Sequence, residues 1–131
     1  MIRTLASVTI ALSALSPVSA SADVAALNGA WTVDLSTDPG EPYTKPMVLT
    51  LNADGTVAGS FYESDIEAGR WKTDRGRTCV SFRTTDGVGP YHTAACLVGD
   101  GVQGQTVEGQ TWAEQRNFLF NWNASRKASG E

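Results

Sequence analysis

The sequence predicts an all-β fold, a small antiparallel up-and-down β-barrel of about eight strands with one hairpin disulfide. Three observations carry that reading. Apolar residues recur at every second position in short runs, the side-chain period of a strand. Pairs of an acidic residue and glycine, Asp54-Gly55, Asp86-Gly87, Asp100-Gly101 and Glu108-Gly109, punctuate those runs as turn signals. Beyond residue 22 no segment has the 3.6-residue period of an amphipathic helix.

The first run follows Asn28-Gly29, with Trp31, Val33 and Leu35 on one face and Thr32 and Asp34 on the other. Pro39-Gly40 and Glu41-Pro42 break the chain within a long connector, residues 36–45. Met47 to Leu51 is a largely apolar run that stops at Asn52-Ala53-Asp54-Gly55. Thr56 to Tyr62 then places Val57, Gly59 and Phe61 on one side. Asp86-Gly87 divides Cys79–Thr84 from Tyr91–Leu97, Asp100-Gly101 divides that run from Val102–Val107, and Glu108-Gly109 precedes Gln110–Ala113. Asn117 to Ala124 closes the series, with Phe118, Phe120 and Trp122 on one face. Consecutive hairpins without a long crossover favour a meander, and closing the meander removes its exposed edges.

The two cysteines follow from hairpin register. If Thr85 pairs with Pro90 across the Asp86-Gly87 turn, Phe82 faces Thr93 and Cys79 faces Cys96. Directly opposed residues of an antiparallel pair come within disulfide reach. The same register puts Arg75, Arg77, Ser81, Arg83, His92 and Ala94 on the cysteine face, which is polar and points outward. Val80, Phe82, Tyr91, Thr93, Ala95 and Leu97 take the inner face.

Arg3, the apolar stretch Leu5 to Leu15 and Ala20-Ser21-Ala22 read as an export signal cleaved after Ala22, leaving residues 23–131 as one barrel domain. The stretch is interrupted by Ser7, Thr9 and Ser13 and is shorter than the roughly 18 residues of a membrane span, so no membrane anchor is expected. The expected location is periplasmic or secreted, where a cysteine pair forms a disulfide. Ten Lys and Arg against 14 Asp and Glu give a net charge of −4, which offers no basic footprint for nucleic acid.

Enzyme chemistry has few carriers. With both cysteines paired, the single histidine, His92, stands alone as a metal ligand, and it sits on the outer face away from any nucleophile elbow. No metal, cofactor or catalytic residue is expected. Glu63, Asp65 and Glu67 alternate and would line one face if that segment were a strand, either as a cation site at a barrel mouth or as a solvated rim.

The aromatic set carries the functional expectation. Trp31, Phe61, Phe82, Tyr91, Phe118 and Phe120 fall on inward faces, with Trp71 and Trp122 as further candidates. Small barrels either fill their interior with side chains or hold one small ligand. The functional outcome is a non-enzymatic protein binding a small apolar or aromatic ligand, with Trp31, Phe61, Trp71, Phe82, Phe118 and Phe120 as walls and Thr93 or Tyr91 as a polar handle.

Leu27-Asn28-Gly29-Ala30-Trp31 resembles the Gly-X-Trp start of the calycins, the lipocalins and avidins. Residues 53–64, Ala53 to Ser64, are similar to the avidin segment in which Gly-X-Tyr-X-Ser follows a turn. The resemblance implies a barrel but not a biotin site, because the avidin positions for Asn, Tyr and Ser read Val33, Phe61 and Glu63. It also implies that a late arginine, Arg126, packs across Trp31. Tyr62 to Glu67 and Gly89 to Thr93 resemble small secreted bacterial proteins to which no activity is attached. Finally, a disulfide-linked barrel behind an N-terminal segment, Asp23 to Asn28, is similar to secreted bacterial metalloprotease inhibitors. A protein partner is therefore the alternative to a small ligand.

Overall fold

The computed structural model describes residues 26–99 and 104–127. The export signal with its cleavage site after Ala22, and the Asp100-Gly101 turn, lie outside the described residues. Strands β1 (Gly29–Asp34), β2 (Thr44–Leu51), β3 (Thr56–Phe61), β4 (Ser64–Asp65), β5 (Glu67–Asp74), β6 (Arg77–Thr85), β7 (Pro90–Val98), β8 (Thr106–Ala113) and β9 (Phe118–Arg126) form one antiparallel sheet. Each strand except β4 pairs with its neighbours in sequence, and β9 returns to β1, so the sheet closes as an eight-stranded up-and-down barrel. β4 is a two-residue ribbon folded back on the end of β3.

Period-two patterning becomes an inside and an outside. Trp31, Val33, Met47, Leu49, Val80, Phe82, Val107 and Trp122 are buried, while the residues between them face out. Pro46 lies within β2 and lacks an N–H. Its carbonyl accepts from Tyr62 N at 3.3 Å, so the missing donor falls on the β3 side, where β3 has already ended at Phe61.

One end of the barrel is closed. Leu27 is fully buried, its carbonyl accepts from the Trp31 indole N–H at 2.9 Å, and the Arg126 guanidinium carbon lies 4.1 Å from the Trp31 ring centroid. Arg126 also donates to the carbonyls of Ala26 and Asn28, and the Asn28 side chain accepts from Leu51 N at 2.6 Å. The stacking of Arg126 on Trp31 matches the expectation drawn from the resemblance. The connector 35–43, the turns 62–63 and 86–89 and a 3₁₀ turn, Glu114–Arg116, gather at the other end.

The expected hairpin register is observed residue for residue, Cys79 opposite Cys96, Phe82 opposite Thr93 and Thr85 opposite Pro90. Cys79 and Cys96 are disulfide-bonded with their Cα atoms 4.0 Å apart.

Strand number agrees with expectation, but two segments do not. Glu108-Gly109 is no turn, since β8 runs through it without interruption. A Cβ at Gly109 would overlap the Trp122 indole, so this glycine makes room for a ring. Conversely β5 escapes the alternation rule: its inward positions are Gly69, Trp71 and Thr73, which leave one apolar side chain to carry the pattern. The β5–β6 connection is the two-residue turn Arg75-Gly76, both at positive φ, so Arg75 belongs to a turn and not to the face of the cysteines.

Candidate functional site

The closed half of the barrel is filled. Phe61 packs against Phe82 and Trp122 at centroid separations of 5.6 and 5.4 Å, and the Trp122 indole N–H donates to Thr111 Oγ1 at 2.9 Å. Above this layer, towards the open end, lies a cavity of about 180 Å³. Its apolar walls are Leu35, Phe61 and Phe120, its hydroxyl-bearing lining is Ser64, Thr84 and Thr111, and Tyr62, Asp86, Tyr91 and Arg116 surround its mouth.

Strand period explains why hydroxyls point inward. Thr84, Thr93 and Thr111 occupy inward positions of β6, β7 and β8, and all three are buried. Thr93 and Thr111 are directly paired and their hydroxyls lie 2.9 Å apart. Thr111 thus serves Trp122 and Thr93 together. Thr84 differs from both: its hydroxyl bonds to none of the described residues, and since every fully enclosed side-chain polar atom among them is paired, it is open to the cavity that it lines.

At the mouth, Tyr91 Oη donates to Asp86 Oδ2 at 2.6 Å, Arg116 Nε donates to Tyr91 Oη at 2.9 Å, and Arg116 reaches Asp86 Oδ2 at 3.3 Å. The hydrogen bond from Tyr91, followed by that from Val88 N, holds the Asp86 carboxyl down at about 2. The same bond raises the Tyr91 phenol above its ordinary value. One full negative and one full positive charge therefore share a phenol, and the cluster is neutral overall.

The residues expected to form a ligand wall divide. Phe61, Tyr91 and Phe120 line the cavity. Phe82 is buried behind Phe61, Trp31 seals the closed end, and Trp71 donates its indole N–H to Asn52 O at 2.7 Å near that same end, so these three are core residues and not cavity lining. Phe118 is 44% exposed, contrary to its inward assignment. It opens β9 opposite Ala113, at the rim, and stacks edge-on against Phe120 at 4.6 Å. The two polar handles are also corrected: Thr93 is committed to Thr111 and Tyr91 to Asp86 and Arg116.

Leu35, Ser64, Thr84, Thr111, Asp86 and Arg116 went unnamed as lining. For Thr84 and Thr111 the signal was present in the strand period, whereas Asp86 reads as turn chemistry and Arg116 comes from a connector.

The acidic row does not form. Strand β3 stops at Phe61, and Tyr62 and Glu63 both take positive φ, which breaks the alternation of Glu63, Asp65 and Glu67. Glu63 lies 3.6 Å from Lys45 and Glu67 lies 3.2 Å from Arg83. His92 sits on the outer face with Nε2 3.1 Å from Glu114. Among the described residues, no three His, Cys, Asp or Glu side chains gather as a metal site. No helix among them is long and apolar enough to cross a membrane. No protein-family model, curated protein or solved structure matches this chain.

Proposed function

We propose that this protein is an exported, non-enzymatic binding protein, periplasmic or secreted, that holds one small apolar or aromatic ligand in the open half of a calycin-like barrel. The observation that carries this reading is the cavity of about 180 Å³ at one end of an otherwise packed interior, walled by Leu35, Phe61 and Phe120. Apolar cavities of about 150 Å³ accept a benzene-sized molecule, so the volume suits one ring. The stacking of Arg126 on Trp31 supports the calycin comparison. The non-enzymatic reading is supported by the lining, which has no His or Cys and whose one carboxylate, Asp86, is held ionised by its partners.

The test is a titration with toluene and with phenol, followed by tryptophan emission and melting temperature. Saturable binding is expected to register in the emission, because Trp122 bonds to Thr111, which lines the cavity. Leu35→Trp, which places an indole in the cavity, should abolish binding while the protein stays folded. Toluene and phenol both leaving emission and melting temperature unchanged would end this reading.

A protein partner is the second reading. Trp112 and Leu119 are a direct cross-strand pair on the outer face, 38% and 49% exposed, beside exposed Phe118. The inhibitor comparison gains less, since Arg126 ties Ala26 and Asn28 to the barrel and residues 23–25 lie outside the described residues. A Trp112→Ser, Leu119→Ser variant that loses a protease partner bound by the unaltered chain would favour this reading.

A further inference from the structure

We infer that the ligand is an uncharged, hydroxyl-bearing molecule about the size of one aromatic ring, recognised by Thr84. This inference rests on the small-ligand reading above and narrows it. Thr84 is 3% exposed, yet it lines the cavity and its hydroxyl has no partner among the described residues. Thr111, which also lines the cavity, is satisfied by Trp122 and Thr93. Among the described residues no enclosed side-chain polar atom lacks a partner, so the Thr84 hydroxyl is open to the cavity, and a guest that filled the cavity without bonding to it would leave it unpaired at a cost. Thr84 therefore presents an unused donor and acceptor to whatever enters.

Charge argues for a neutral guest. Among the described residues the only charged side chains lining the cavity are Asp86 and Arg116, and they already bond to each other and to Tyr91. A carboxylate in the chamber would lose its hydration without gaining an uncommitted cation, and an ammonium would find no uncommitted anion. Walls of Leu35, Phe61 and Phe120 favour an apolar body, and one hydroxyl or carbonyl on that body satisfies Thr84.

Calorimetric titration of the full chain with toluene, phenol and benzoate, repeated on Thr84→Val, tests this. Valine keeps the shape of threonine and removes the hydroxyl. Phenol should bind about fivefold more weakly to Thr84→Val, the scale of one hydrogen bond, while toluene stays within about twofold. Thr84→Ser, which keeps the hydroxyl, should retain most of the phenol affinity. Benzoate should bind the unaltered chain at least about tenfold more weakly than phenol. Toluene binding with phenol unaffected by Thr84→Val, or benzoate matching phenol, would overturn the inference and leave the small-ligand reading standing. Failure of both toluene and phenol to bind would overturn the two together.

Discussion

Gly109 and Trp122 lie directly opposite each other across β8 and β9, and the indole occupies the space that any side chain at position 109 would need. The ring is buried, contacts Phe61 and anchors its N–H on Thr111, so it belongs to the core and supports two residues that line the cavity. The smallest residue in the barrel wall thus positions one of its largest.

Gly109→Ala should therefore destabilise the fold by about 1–3 kcal/mol, as overpacking of a filled core does. Urea unfolding measures the loss, and a shift in tryptophan emission would report the displaced ring. A midpoint unchanged from that of the parent chain would show that the indole moves freely.

Arg126→Ala should loosen the closed end. It removes the guanidinium over Trp31 and the donors to the Ala26 and Asn28 carbonyls, at an exposed site where a cation–π contact is worth about 0.5–1 kcal/mol and the hydrogen bonds add a similar amount. Faster amide exchange at Leu27 and Trp31, without change around the Asp86 cluster, is the expected signature. Uniform exchange across the barrel would contradict a local seal.

Reduction of the Cys79–Cys96 disulfide, or its replacement in a Cys79→Ser, Cys96→Ser variant, should lower stability by about 3 kcal/mol, the loop-closure scale for this separation of 17 residues. The β6–β7 ladder continues on both sides of the bond, so circular dichroism should remain that of the barrel while melting comes earlier. Two reactive thiols in the untreated protein would refute the pairing.

The Asp86 cluster predicts a definite pH dependence. The folded carboxyl titrates at about 2, below the roughly 3.9 of an unfolded aspartate, so the ionised form favours the fold. Its contribution is complete above about pH 4 and disappears as pH falls through about 2. The melting-temperature gap between the parent chain and Asp86→Asn should be constant near neutrality and close towards pH 2. Tyr91 has the opposite sign: its neutral form is favoured, and that contribution goes only as pH rises through its raised value. Ultraviolet titration should show Tyr91 ionising at lower pH in Asp86→Asn. No change in the tyrosine titration would exclude the bond as the cause.

The hairpin of β6 and β7 was legible because everything that defines it is local. One turn fixes the register, and a period of two then assigns each of Cys79, Phe82, Thr93 and Cys96 to a face. The same reasoning gave Trp31, Val33 and Leu35 one shared face, which is buried, and the antiparallel meander as the fold. Strand β5 was not legible, because Gly69 and Thr73 hold inward positions without being apolar and Gly69 imitates a turn. Glu108-Gly109 imitates one too, and only the indole of Trp122, 13 residues further along the chain by number, shows why glycine is there.

Pattern assigns a residue to a face, and it says nothing of height along the barrel axis. That coordinate depends on strand stagger and on how eight strands close, which are properties of all the pairings together. Phe118, Phe120 and Trp122 share one face of β9 and end at the rim, in the cavity wall and in the core, respectively. Thr84, Thr93 and Thr111 all face inward, yet Thr93 and Thr111 bond to each other across β7 and β8 while the Thr84 hydroxyl bonds to none of the described residues. The sequence by itself determined most of the strands, the disulfide and the two faces of the β6–β7 hairpin, because those follow from neighbours along the chain. The tertiary structure decided where the interior stops being filled, because a cavity is defined by residues from β3, β6, β7, β8 and β9 that meet only when the barrel closes.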